Sequence, residues 1–356
     1  MEPSLISRRD ALRTGSCGFG YLALAGLLGE QAQAAKAGFT NPLSERDPHF
    51  PARAKRVIFM FMQGGPSHLD TFDHKPELIA AAGKGGNKGK LLKPAFGFKP
   101  RGESGLMISE AFPNLAGHAD DLCILNGMHT SSPAHPQAAI MLHTGSQNFV
   151  RPSMGAWITY GLGTANQDLP GFVTINPVAN VGGAQNYGSA FLPASYQGTR
   201  LGVGSSMENI ENAQFTQREQ RRQIDLVQNM NTRLLERVGV NSEIEGVIQS
   251  YELAYRMQTA VPGVRDISKE SEGVKSMYGI GDKATDNFGK QCLMARRLAE
   301  SGVRFIQLTH RGWDQHNNLT SKLGANARAT DKPIAGLIQD LKQRGMLKDT
   351  LLVWGG

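Results

Sequence analysis

The chain has 356 residues, 40% of them hydrophobic and 19% charged, with a formal net charge of +7. That apolar share builds a core and excludes a disordered or collagen-like chain, and the length suits one large domain or two ordinary ones. The basic excess lacks the aromatic interleaving of nucleic-acid-binding modules, so no nucleic acid is expected as a partner.

At the N-terminus the twin arginine Arg8-Arg9 precedes a Gly-rich, modestly apolar run, and Ala32-Gln33-Ala34 fits a small-x-small cleavage site. Residues 1–34 read as a signal peptide of the twin-arginine type, an address for the twin-arginine export machinery. The expected location is the bacterial periplasm or cell surface. That route carries folded proteins, often with a cofactor inside, which favours a metal. The apolar run is short and rich in glycine, and no other stretch could span a bilayer, so no stable membrane span is expected. Residues 35–52, with Pro42, Pro48 and Pro51, read as a linker before a domain over 53–356.

"KRVIFMFMQGG" is a continuous apolar run closed by glycines, as in a strand buried on both faces. "DLCILNG", "GFVTINP", "GVRFIQLTH" and "TLLVWGG" repeat the pattern. Helical patterns lie between: "QREQRRQIDLVQNMNTRLLERV", "NFGKQCLMARRLAESG", and "KPIAGLIQDLKQRGML", in which Ile334, Leu337, Ile338 and Leu341 share a face and Gly345 caps the end. Alternating helices and strands predict an α/β domain: a mostly parallel sheet with helices on both faces. Cys123 and Cys292 lie in apolar contexts and read as core thiols. Lys84, Lys88, Lys90, Lys93, Lys99 and Arg101 crowd one Gly-rich stretch, read as a solvated loop or as a basic flap that attracts an anionic substrate.

Ligands of such sheets bind beyond the carboxyl ends of the strands, and three stretches there could carry chemistry. "MQGGPSHLDTFDHKPE" follows the first strand; His68 and Asp70 are candidate metal ligands, or else the loop only caps turns. "RFIQLTHRGWDQHNN" ends a strand in His310, Asp314 and His316, and Asp-x-His can place a carboxylate and an imidazole on one cation, or a histidine can simply bond the aspartate. "HTSSPAHPQAAIMLHTGSQ" offers Ser131, Ser132 and His135 at a helix start, as a catalytic group or as a turn with a helix cap. There is no Gly-x-Ser-x-Gly elbow, His-Glu-x-x-His, Walker loop or dinucleotide fingerprint outside the leader.

"VIFMFMQGGPSHLDTFDHKPEL", "GWDQHNNL", "CLMARRLAESGVRFIQL" and "LIQDLKQRGMLKDTLLVWGG" together resemble the sulfatase-like domain of unknown function family 1501, whose members carry twin-arginine leaders and belong with the alkaline phosphatase superfamily. The resemblance implies an alkaline phosphatase/sulfatase-like fold. It also implies a divalent metal (Zn, Ca or Mg) and hydrolysis of phosphate or sulfate esters, on an anionic small molecule or a polysaccharide. The alternative is a non-catalytic periplasmic or surface binding protein on the same fold. Asp314 and His316 match the family's Trp-Asp-x-His motif. Gln63 stands where the superfamily places an Asp, with His68 and Asp70 following. Ser131 and Pro133 keep the spacing of the sulfatase Cys-x-Pro start, and Thr144-Gly145 its end, without the Cys or the Arg. In the family the "VWGG" strand runs on into further ligands, so the chain is expected to be a C-terminally truncated fragment, poorly soluble and inactive alone.

Overall fold

The computed structural model describes residues 42–86, 89–203, 214–238 and 241–356; the leader and residues 35–41 of the linker lie outside the described residues. The run Arg56–Met62 forms β1, seven residues buried through its last five. Alternation sends Ile58, Met60 and Met62 into one apolar core and Phe59 and Phe61 into another. A strand that is apolar on both faces belongs inside a sheet with helices on either side. β1 lies there, in a five-stranded sheet.

In chain order the other elements are short helices α1 (His68–Thr71) and α2 (Pro76–Ala80), then hairpins β2 (Gly85–Gly86)/β3 (Gly89–Lys90) and β4 (Phe98–Arg101)/β5 (Leu106–Ser109). Helices α3 (His135–Thr144) and α4 (Met154–Leu162), strands β6 (Phe172–Ile175) and β7 (Thr199–Leu201), and the pair α5 (Gln217–Val238) and α6 (Ser242–Arg265) follow. The chain continues through α7 (Glu272–Met277), α8 (Asp286–Glu300), β8 (Phe305–His310), α9 (Leu319–Gln343) and β9 (Thr350–Gly355). The sheet order is β7-β6-β8-β1-β9, and every pairing is parallel. One face packs on α8 and α9 through the larger core; the other meets α3 and α4 through Ala139, Met154 and Ile158. The predicted α/β class with a parallel central sheet is what the chain adopts. Among the described residues no helix is long and apolar enough to cross a membrane.

Two expectations fail. "DLCILNG" forms no strand: its four apolar residues sit between Asp120-Asp121 and Asn126-Gly127, and only Leu122 leans on the core. The sheet has no room beside β1, whose neighbours are β8 and β9. Cys123 is therefore exposed rather than in the core, whereas Cys292 is fully buried and burial pushes its thiol pKa up. Residues 42–46 pack against the domain. Leu43 is buried beside Ala156 and Tyr196, and Glu45 pairs with Arg304 at 2.8 Å.

A buried ion network ties the helical layer together. Arg296 is 1% exposed, donates to Glu300 (2.6 Å) and Glu270 (2.7 Å), and lies 2.9 Å from Asp340, which also accepts from Tyr278 (2.9 Å). Losing one partner would leave a desolvated charge uncompensated, which costs several kcal/mol, about 3–5 in comparable cases.

His143, on α3, lies edge-on to Phe59 and Phe61, donates from Nδ1 to the Ala139 carbonyl (2.7 Å), and has no partner for Nε2. Burial pulls its pKa down to about 4, below the 6.5 of an unfolded chain. The native state holds this ring neutral while the unfolded state takes up the proton. Its contribution is complete above pH 6.5 and falls progressively toward pH 4. We expect His143→Phe to flatten the fall in stability between about pH 7 and pH 5, read by urea denaturation, by at most ~2 kcal/mol. A pH slope equal to that of the parent chain would contradict this.

Candidate metal centre

The pairing of β1 with β8 continues past both strands. Gln63 donates to the carbonyl of His310 (2.8 Å), and Trp313 donates back to the carbonyl of Gln63 (3.1 Å). The loop after β8 is thereby folded over the end of β1. Gly64 has φ +112°, and a Cβ there would stand 2.5 Å from the Asp314 nitrogen, so only glycine lets the two loops approach so closely. Asn326 of α9 donates to the carbonyl of Gly312 (2.7 Å) from the other side. Trp313 is 1% exposed, stands perpendicular to Trp354 at 5.9 Å, and donates from Nε1 to Nδ1 of His310 (3.0 Å).

With its neighbour anchored in the core, Asp314 emerges at the carboxyl edge of the sheet. Its Oδ2 is 3.2 Å from Nε2 of His135, the first residue of α3, and its Oδ1 is 2.8 Å from Nε2 of His316. One ligand-type atom from each of the three lies within 4.8 Å of the others. The side chains of His135 and Asp314 are 43% exposed and that of His316 is 81% exposed, so the cluster opens to solvent. Two imidazole nitrogens and one carboxylate oxygen form a donor set suited to zinc, with a further position left for water or substrate. Calcium and magnesium prefer oxygen alone.

Other expected ligands lie elsewhere. His310 gives Nδ1 to Trp313 and packs on Phe288, and burial lowers its pKa to about 4. His68 is exposed at the start of α1. Asp70 is buried, and its two oxygens accept from Ala95 N (2.6 Å) and Ser67 Oγ (2.5 Å), so it ties the following loop down. Ser132 closes a turn by accepting from Ala134 N (3.3 Å). Among the described residues no hydrogen bond joins the hydroxyl of Ser131 or Ser132 to His135. His135 itself, considered from sequence for catalysis, stands with the ligand pair. The sequence signal for this was only a His-Pro step opening a helix.

Residues 54–356 match the family model described as Protein of unknown function (DUF1501). The chain belongs to this family. No curated protein and no solved structure matches it. His135, Asp314, His316 and the glycine that admits them all lie inside the DUF1501 match.

Gly64→Ala is expected to push Asp314 outward while leaving the sheet intact. Zinc affinity, read by titration calorimetry, falls on the order of 10-fold or more, with a native far-UV circular dichroism spectrum. Unchanged affinity would show that the close approach does not set the cluster.

Proposed function

We propose that this DUF1501 protein is an exported, metal-dependent hydrolase of phosphate or sulfate esters on an alkaline phosphatase/sulfatase-like fold. The observation that carries the reading is the His135–Asp314–His316 cluster at the carboxyl edge of a parallel sheet, where such folds bind their ligands. His135, Asp314 and His316 would hold the metal, which supplies charge balance for the transferring group and polarises the ester oxygen. Ser131 and Ser132, on the loop leading into His135, are the candidate nucleophiles; a hydroxyl so placed would meet the substrate beside the metal ligands.

The surroundings suit an anion. Lys84, Lys90 and Lys93 are exposed, and none has an acidic partner among the described residues. The Asp70–Ala95 bond ties their segment to the loop after β1, and Phe96 packs 3.2 Å from where a Cβ of Gly324 would lie, one turn from the start of α9. We read this tethered, lysine-rich segment as the basic flap that would meet an anionic substrate. A non-catalytic binding protein is the second reading, favoured by the lack, among the described residues, of a base bonded to either serine.

The zinc-loaded protein is expected to cleave an aryl phosphate or aryl sulfate, to lose that activity to a chelator and to regain it with zinc. Asp314→Asn should lower metal content and cut kcat/KM on the order of 100-fold, with native circular dichroism. Activity that survives both chelation and this substitution would refute the hydrolase reading, while stoichiometric zinc without turnover would favour the binding protein.

Export is proposed from the leader. Arg8→Lys with Arg9→Lys is expected to hold the precursor in the cytoplasm, because the transport machinery reads the arginine pair as an address. Cell fractionation showing normal export of the double variant would exclude this route.

A further inference from the structure

The outermost layer of the molecule is the antiparallel pair α5–α6. α6 buries Met257 and Val261 in the larger core. α5 lies on α6 through one polar face: Arg221 and Gln228 bond Glu252 (2.9 and 3.1 Å), and Tyr255 donates to the Gln217 carbonyl (3.5 Å). The opposite face of α5 meets solvent, yet it is not polar. Leu226 and Met230 are 62% and 63% exposed, and Val227 and Leu234 are exposed beside them. On α6, Val247 and Tyr251 are also exposed. Single exposed apolar residues are ordinary; a row of four on one helix is not.

The charge around the row is one-sided. Arg222, Leu226, Met230, Arg233 and Arg237 recur at steps of three and four residues, so they form a single stripe. The helix holds five arginines against Glu219, Asp225 and Glu236. Two of those acids are engaged locally. Glu219 accepts from Thr216 at the N-terminus of the helix (2.8 Å), and Asp225 pairs with Arg221. Arg218, Arg222, Arg233 and Arg237 are exposed, with no acidic partner among the described residues.

We propose that α5, supported by α6, is a peripheral docking face for an anionic lipid bilayer. An apolar row sinks into the boundary between headgroups and acyl chains while flanking arginines meet lipid phosphates, the pattern of a helix that lies in the membrane plane. A second copy of the chain fits worse: an isologous contact would set this arginine-rich face against its own equivalent. The face is separate from the metal cluster, so this docking does not depend on the proposed hydrolysis.

The test is co-sedimentation of the full chain with vesicles of phosphatidylglycerol and phosphatidylcholine, and with vesicles of phosphatidylcholine alone. Binding is expected to the anionic vesicles only and to weaken as salt rises. The combined variant Arg222→Gln, Arg233→Gln, Arg237→Gln is expected to lower the partition coefficient roughly 100-fold, about fivefold for each arginine. Leu226→Ser with Met230→Ser should lower it on the order of 10-fold or more. All five positions are exposed, so circular dichroism and zinc content should be unchanged. The proposal is overturned if the parent chain ignores anionic vesicles, or if both variants bind as the parent does. It is also overturned if light scattering shows a dimer that Leu226→Ser with Met230→Ser dissociates, which would assign the face to a second copy.

Discussion

The structure depends on one backbone junction: Gln63, held by the His310 carbonyl on one side and by the Trp313 N–H on the other. Parallel strands place both their C-terminal loops at the same edge, but nothing in strand pairing alone makes those loops touch. Here the junction does so, and Gly64 lets the backbones come within contact distance. Trp313 then serves as the anchor. Its ring is in the core against Trp354, and its N–H is satisfied by His310, so the next residue must leave the core. Asp314 is presented at the edge because its neighbour is not free to move.

The electrostatics separate structure from chemistry. Displaced pKa values often mark functional sites, yet here the three depressed histidines, His118, His143 and His310, stand outside the exposed cluster, and burial is the largest cause in each. The Arg296–Asp340–Glu270 network is similarly buried, and its charges are paired with one another. In the His135–Asp314–His316 group, the ligand atoms bond only one another among the described residues, and water can reach them. A cation could replace those mutual bonds without disturbing the core, which is the condition for a site that binds and releases.

The strands that became β1, β6, β8 and β9 were legible because a doubly buried strand leaves an unbroken apolar run. "DLCILNG" carries the same local pattern and fails because sheet order is set by partners, which a run of four residues does not reveal. Asp314 and His316 were legible as a pair, being two residues apart at a strand end. His135 joins them from a helix distant in sequence, so its role depends on tertiary packing alone. Asp70 has the right chemistry for a ligand, but its oxygens face Ala95 and Ser67 instead. In α5 the helical period was plain, yet periodicity cannot say which apolar face is covered, and the row through Leu226 and Met230 is the uncovered one.

That outer helix can tolerate such a face because its foundation is rigid. The last turn of α6 presents carbonyls that α8 meets directly: Arg297 donates to Val264 (2.7 Å) and Gly263 (2.9 Å). A guanidinium at a helix C-terminus satisfies orphan carbonyls and complements the helix dipole. Arg297 also bonds Glu270, which ties this end of α6 into the buried ion network. α6 is thus fixed to the core through α8, and α5 is fixed to α6 through Glu252. The solvent face of α5 contributes nothing to these contacts. Its residues are therefore free to be chosen for what they meet outside the molecule, just as those at the sheet edge are free to be chosen for what they hold.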